Sequence, residues 1–452
     1  MALRQRLPWL IGSLAIVGAL ILAGYRQANP PWQKYQDSGQ VRILTPTLTG
    51  KPELCLTCHN GIEEISDSHG VDAFGCVICH GGDRLSLDED IAHGSLIGAE
   101  GNRRNPSDLS TVETSCGGAD CHSGDAAAGR DHIARVTRSL HTTYAGGVSR
   151  VLESLGVTSE SGYYGIVAAT DDIVRDPLGV AELAALTEGG GMPDLSHFVE
   201  NCGGCHNGTP EVIPQPYFYR GTGCAACHVL YTTAGLYQGG DPTISRTEPG
   251  HAATHQLTVA VPYTTCNHCH NRGNYDVAQM TFSPRNLSPD REMPASERRY
   301  ADLYPNGSTH YAVCEYKLDC IDCHTVNEVM GDGDIYTSQR DAVRVECRTC
   351  HGTLDELPLT VMLEDVNDLA FRRATLNPYY DVFVGNTVIL GPNSEPMEHT
   401  RVEGDLFSLV GKATGSTYLI PQVYGSLCEQ EVDRQAATDC QECHVYVPES
   451  SN

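Results

Sequence analysis

The pattern of apolar and polar positions changes character four times along this 452-residue chain. From Leu7 to Tyr25 no charged residue interrupts an apolar run that follows Arg4 and Arg6. A helix over this run would rise about 1.5 Å per residue and reach about 28 Å, the thickness of a bilayer core. It predicts a transmembrane anchor or a secretory signal. No small-x-small cleavage site follows the run, and neither does a Cys that could carry a lipid. Under either reading the two Arg stay inside and the remainder of the chain lies outside the cytoplasm. Residues 26–50 contain Asn29-Pro30-Pro31 and few apolar positions, which predicts a tether. Across residues 129–155, Ile133, Val136, Leu140, Tyr144, Val148, Val151 and Leu155 recur at helical spacing, predicting a spacer helix before a Gly-rich break at 189–191. Within 357–425 the pattern is that of strands. Asp381–Leu390 reads as strand, Gly-Asn turn and strand, and Leu406–Ile420 as a second hairpin, together a small β-rich insert with His399 on its loop.

Composition changes the picture. Only 40% of the chain is hydrophobic and 7% aromatic, whereas an ordinary soluble domain is about 45–50% apolar. Something besides side chains must fill its cores. A formal net charge of −27 excludes the clustered basic surface that nucleic acid requires. The basic set contains only four Lys, and the remaining 26 residues are Arg, the better bidentate partner for carboxylates. Twenty Cys point to extracytoplasmic disulfides or to metal or cofactor sites.

The spacing of those Cys decides between the two. Eight segments read Cys-x-x-Cys-His: Cys55/Cys58/His59, Cys76/Cys79/His80, Cys202/Cys205/His206, Cys224/Cys227/His228, Cys266/Cys269/His270, Cys320/Cys323/His324, Cys347/Cys350/His351 and Cys440/Cys443/His444. This is the signature for attachment of c-type haem. Two thiols one helical turn apart reach the two haem vinyl groups, and the adjacent imidazole becomes the proximal iron ligand. Zinc pairs do not require the trailing His. A ninth segment, Cys116-Gly-Gly-Ala-Asp-Cys121-His122, has two extra residues that can loop out between the thiols. Nine sites use 18 of the 20 Cys and leave Cys314 and Cys428, either a disulfide or two free thiols.

Nine of the 19 His are then proximal ligands. The ten others, His69, His93, His132, His141, His197, His251, His255, His268, His310 and His399, are nearly one distal ligand per iron. His132 and His251 are the weakest of these candidates. The Met residues read as packing residues, so bis-His ligation with low potentials is expected.

The motifs cluster: three within 55–122, three within 202–270, two within 320–351 and one at 440–444. Spacers of 20 to 45 residues keep consecutive haems close. The expected divisions are an anchor or signal at 1–25, a linker at 26–50 and a haem domain with the spacer helix at 51–200. A haem domain at 201–356, the β-rich insert at 357–425 and the ninth haem segment at 426–452 complete them.

With these motifs, and with contexts such as Cys320-Ile-Asp-Cys-His-Thr325, Gly223-Cys-Ala-Ala-Cys-His-Val229 and Cys266-Asn-His-Cys-His-Asn271, residues 50–445 resemble the large multihaem c-type cytochromes of anaerobic respiration and extracellular electron transfer. The resemblance implies a mainly α and irregular fold built around stacked haems. It also implies covalent haem c, a periplasmic or cell-surface position, and electron transfer between redox partners such as a membrane quinol-oxidising complex and an external acceptor. Some members of that group reduce nitrite or tetrathionate, or oxidise hydroxylamine, at an iron with an open position. The Cys-x-x-Cys-Lys site often found in its nitrite reductases is absent from this chain. The expectation is therefore an anchored electron-transfer protein, with a multihaem reductase or oxidase as the alternative.

Overall fold

The computed structural model describes residues 2–36, 40–98, 105–143, 147, 151, 153–154, 156, 205–206, 219–232, 234–270, 273–276, 281–284, 312–336, 338–435, 440 and 443–444. The first helix, α1, spans Ala2–Ala28. Leu14, Ile16, Leu20 and Ile21 are each more than 60% exposed. A core helix would bury those side chains, whereas this one is long and apolar enough to cross a membrane and packs against nothing.

The expected tether after it is only partly extended. A short 3-10 turn, Pro31–Tyr35, follows α1. Beyond it Leu44 forms an antiparallel bridge with Glu53, and the amides of Thr47 and Leu48 donate to the carbonyls of Asp72 and Ala73 at 3.0 Å each. Few apolar residues are needed to hold the segment down because its backbone groups are satisfied by a neighbour.

The motifs whose closing hydrogen bond is described fold as compact turns. The amide of His59 donates to the carbonyl of Cys55 at 3.0 Å, and the same bond closes His80 on Cys76, His228 on Cys224, His324 on Cys320 and His444 on Cys440 at 2.8–3.0 Å. The longer motif closes identically, with His122 donating to Cys116 at 3.2 Å. Its two extra residues are taken up by Ala119 and Asp120, both in the left-handed region. Gly117 stays beneath them because a Cβ there would lie 2.8 Å from the carbonyl of Glu113.

The spacer helix is interrupted where its pattern predicts a continuous one: after a break at Ser139, residues 147, 151, 153 and 154 are helical again. Its first part covers His132–Arg138 and ends at Ser139, whose ψ of 159° leaves the helix while its amide bonds to Val136. Arg135 is drawn off instead, donating to the carbonyl of Gly331 at 2.7 Å and to Asn327 Oδ1 at 2.6 Å. Contacts of this kind join distant parts of the chain. Cys224 and Ala225 donate to the carbonyl and hydroxyl of Ser107, and Thr222 donates to Asp108 at 2.8 Å. Gly223 is required there, since its φ is +58° and a Cβ would fall 1.8 Å from the Ser107 carbonyl.

Eight short strands are described. β1 (Gly273–Asp276) and β2 (Thr281–Pro284) form an antiparallel hairpin that the sequence pattern did not indicate. β3 (Thr360–Met362), β4 (Thr387–Leu390) and β5 (Pro396–Met397) make one antiparallel sheet. β6 (Thr400–Glu403), β7 (Leu406–Val410) and β8 (Thr417–Leu419) make another. The expected hairpin over Leu406–Ile420 is present as β7 and β8. The expected strand at Asp381–Val384 is not, because β4 pairs instead with Thr360–Met362, which follows Pro358. The Gly385-Asn386 turn survives and bonds back to Leu363 at both its amide and carbonyl.

Leu318, Ile389, Met397, Phe407, Leu409 and Ile420 form the largest cluster of buried apolar residues. Ile389 is fully buried at its centre. Ile389→Ala is expected to cost about 2–5 kcal/mol through lost burial and a residual cavity, read as an earlier urea midpoint for protease resistance of residues 357–425. An unchanged midpoint would mean that this cluster does not hold the sheets together.

Candidate functional site

The structure brings motif and non-motif imidazoles together in pairs. His59 faces His93 with ring centres 6.1 Å apart, His80 faces His255 at 5.9 Å, and His270 faces His141 at 6.0 Å. His122 has two neighbours: His69, stacked at 5.9 Å and 17°, and His132 at 5.3 Å and 43°. Two imidazole nitrogens about 2.0 Å from one metal ion, on opposite sides of it, place their ring centres about 6 Å apart. Four motifs thus present the spacing that a metal held between two His requires.

The second ring nitrogen confirms the orientation. A metal-bound His almost always engages its other N–H with a carboxylate or carbonyl, which fixes the ring and its tautomer. Here Nδ1 of His59 lies 2.8 Å from Asp241 Oδ2, and that of His324 lies 3.2 Å from Glu328 Oε2. Nδ1 of His228 meets the Thr258 carbonyl at 2.7 Å and that of His351 the Pro421 carbonyl at 2.7 Å. Among the non-motif rings, His141 meets the Val329 carbonyl at 3.0 Å, His255 the Glu63 carbonyl at 3.0 Å, and His69 the hydroxyls of Ser66 and Ser68 at 3.0 Å. In all seven the ligand position left over is Nε2.

Burial sets the protonation state. It pushes His80, His132, His206 and His270 down to about 4, so that all four carry a lone pair at neutral pH. Burial also acts to depress His59 and His324, but the hydrogen bonds and charges of Asp241 and Glu328 overturn it and hold both above the ordinary imidazole value.

The thiols form a second pattern. Cys55 and Cys76, from the first two motifs, lie with the Glu53 carboxylate in a group whose ligand atoms are within 4.8 Å of one another. That carboxylate is already used by the amides of Cys76 and Val77, at 2.7 and 3.3 Å. Thiols of further motifs lie near enough to raise one another's pKa: Cys116 acts on Cys79 and Cys224, Cys320 and Cys227 on Cys266, Cys350 on Cys323, and Cys440 on Cys347. Cys269 also reaches the carbonyl of Cys205, 3.4 Å away. Passing from thiol to thiol therefore links the motifs in spatial series: first, second, third (the long one), then those of His228, His270, His324, His351 and His444. The motif of His206 joins at that of His270.

Other expected residues fall elsewhere. His399 stands on the turn between β5 and β6, as expected of the insert's loop, but is fully buried there: Nε2 donates to the Asp322 carbonyl at 3.0 Å and the ring lies beside Tyr380. His268 sits edge-on to Tyr231. His251 donates its amide to the Gly235 carbonyl at 2.8 Å. Cys202, His197 and His310 lie outside the described residues. Cys314 packs beneath the sheets against Cys323 and Cys350, and Cys428 stands in the segment beyond β8. Both are free thiols, not partners in a disulfide. Cys58, Cys121 and Cys443, the remaining second or first thiols of their motifs, are likewise free.

Asp241 and Glu63 could not have been found from the sequence, since their partners are 182 and 192 residues away. Glu328 had a signal: Thr325-x-x-Glu328 is a capping box directly after His324, and it places the carboxylate one turn from that imidazole. Comparison with protein-family models, with curated proteins and with solved structures returns no match to this chain.

Proposed function

We propose that this chain is a membrane-anchored, extracytoplasmic c-type cytochrome that carries nine covalent haems and moves electrons along them. The observation that supports it best is the set of imidazoles facing motif His at about 6 Å, with Nδ1 of most of these rings pinned away from the partner. Haem, when bound, supplies a reversible one-electron couple. The chain's own residues do the rest. Eighteen Cys would tether the haems, and at the motifs of His59, His80, His122 and His270 the facing imidazoles would hold the iron from both sides. Each bound sulfur marks a porphyrin edge, so the series of neighbouring thiols places neighbouring edges together.

The series starts at the membrane. Gln36 lies eight residues past the end of α1 and donates to the Leu87 carbonyl at 2.7 Å. Eight residues span at most about 28 Å, so the segment that Gln36 joins stays within that reach of the bilayer, and the Cys55/Cys58/His59 motif is the end of the series open to a membrane respiratory partner. The far end, near Cys440, faces a periplasmic or external acceptor.

Intact mass of the purified protein and low-temperature EPR of its oxidised form test this reading. The expected result is nine added haems and a spectrum made up of low-spin ferric signals. A high-spin ferric signal integrating to one haem would overturn the pure conduit in favour of a reductase or oxidase of a small nitrogen or sulfur compound. A mass without haem would overturn both.

A further inference from the structure

The motif imidazoles with described Nδ1 partners divide into two kinds. His228 and His351 donate to backbone carbonyls, those of Thr258 and Pro421. His59 and His324 donate to carboxylates instead. Both carboxylates are deeply buried while the imidazoles keep an open face: the side chains of Asp241 and Glu328 are 0% and 2% exposed, against 30% and 42% for His59 and His324.

Neither carboxylate is incidental. Asp241 Oδ1 accepts from the amide and the hydroxyl of Thr243, both at 2.8 Å, which leaves Oδ2 to His59. The loop carrying Asp241 is held in turn by Tyr237, whose hydroxyl accepts the Asp241 amide at 3.0 Å and donates to Glu63 at 2.9 Å. Glu63 also accepts the amide of His255, the ring that faces His80. Glu328 Oε1 accepts the amides of Arg344 and Val345, both at 2.6 Å, and Oε2 accepts the amide of Thr325 as well as His324.

A buried anion draws the Nδ1 proton toward itself and makes the other nitrogen a stronger electron donor to its iron, more so than a neutral carbonyl does. Stronger donation favours the ferric state. Resting on the haem reading above, we infer that Asp241 and Glu328 are positioning residues that set the irons of His59 and His324 below those of His228 and His351 in potential. The effect is larger at Asp241, where the contact is 2.8 Å against 3.2 Å and Oδ2 serves His59 alone; Glu328 shares its charge among three backbone amides.

Potentiometric titration of the full-length holoprotein, followed by EPR, tests this with Asp241→Asn, Glu328→Gln and the conservative Asp241→Glu. In Asp241→Asn one component is expected to rise by at least tenfold in its reduction equilibrium, which is about 59 mV for one electron, while the others stay in place. Glu328→Gln moves a different component by less, and Asp241→Glu restores most of the original value. If haem is fully loaded and no component moves in either variant, the inference fails and the cytochrome reading stands. If the purified chain carries no covalent haem, the cytochrome reading fails and this one with it. Should one variant not accumulate, the other carries the test alone, because the two carboxylates sit in separate networks.

Discussion

Produced without haem attachment, the chain is expected to lose ordered structure over residues 40–98 and 105–143, while a protease-resistant fragment of about 357–425 remains. The two regions have different cores. Outside the C-terminal sheets, the one apolar cluster among the described residues consists of Leu109, Val112 and Ile133, lined by Cys116, Val136 and Cys224. Three such side chains contribute about 1.5–3 kcal/mol each on burial, whereas ordering the backbone costs about 1–2 kcal/mol per residue. The other buried apolar residues of this region, among them Leu44, Tyr219, Tyr237 and Val261, are scattered, and two of the groups lining the cluster are motif thiols. The C-terminal sheets bury Leu363, Ala370 and Val388 in one cluster and Ile389, Met397, Phe407, Leu409 and Ile420 in another, with no porphyrin needed. Limited proteolysis with mass mapping of protein made with and without the haem-attachment machinery reads the difference. Equal protection of residues 40–98 and 105–143 in both preparations would show that the side chains suffice, and the shortage of apolar residues would need another cause.

The parts of this fold that could be read from sequence are those whose signal is local. The run from Leu7 to Tyr25 becomes α1, and Leu406–Ile420 becomes β7 and β8, because an apolar run and a strand-turn-strand pattern are complete within a few residues. Asp381–Val384 failed for the opposite reason: β4 had two possible partners, and the more distant Thr360–Met362 took the pairing. The helical period through Ile133 and Leu140 is interrupted at Ser139, which turns back on Val136, and helix is found again at residues 147, 151, 153 and 154. At the site, the Cys-x-x-Cys-His spacing was legible because one turn holds all of it. Which non-motif His faces which motif was not, since His255 reaches back to His80 and His141 reaches forward to His270, past intervening motifs. Loop closure costs little per added residue at such separations, so sequence distance carries almost no information about the choice.

Replacing His255 with Ala is expected to turn one low-spin ferric haem high-spin and to leave the others unchanged, whereas His399→Ala leaves every iron low-spin. Both residues are buried or half-buried His outside the motifs, and only geometry separates them. His255 faces His80 at 5.9 Å with Nδ1 held by the Glu63 carbonyl, so its loss opens one axial position. Its amide still donates to the Glu63 side chain in the variant, which preserves the loop. Exogenous imidazole should therefore enter the space left by the ring and restore the low-spin spectrum. His399 has already committed Nε2 to the carbonyl of Asp322, two residues before His324, and faces no motif imidazole among the described residues. Its removal leaves that buried carbonyl without a donor and costs about 1–3 kcal/mol, visible as weaker protease resistance of residues 357–425. EPR of the two oxidised variants, with and without imidazole, distinguishes the roles. A low-spin spectrum from His255→Ala would mean that the ring facing His80 is not its axial partner, and a high-spin signal from His399→Ala would return that residue to the ligand set.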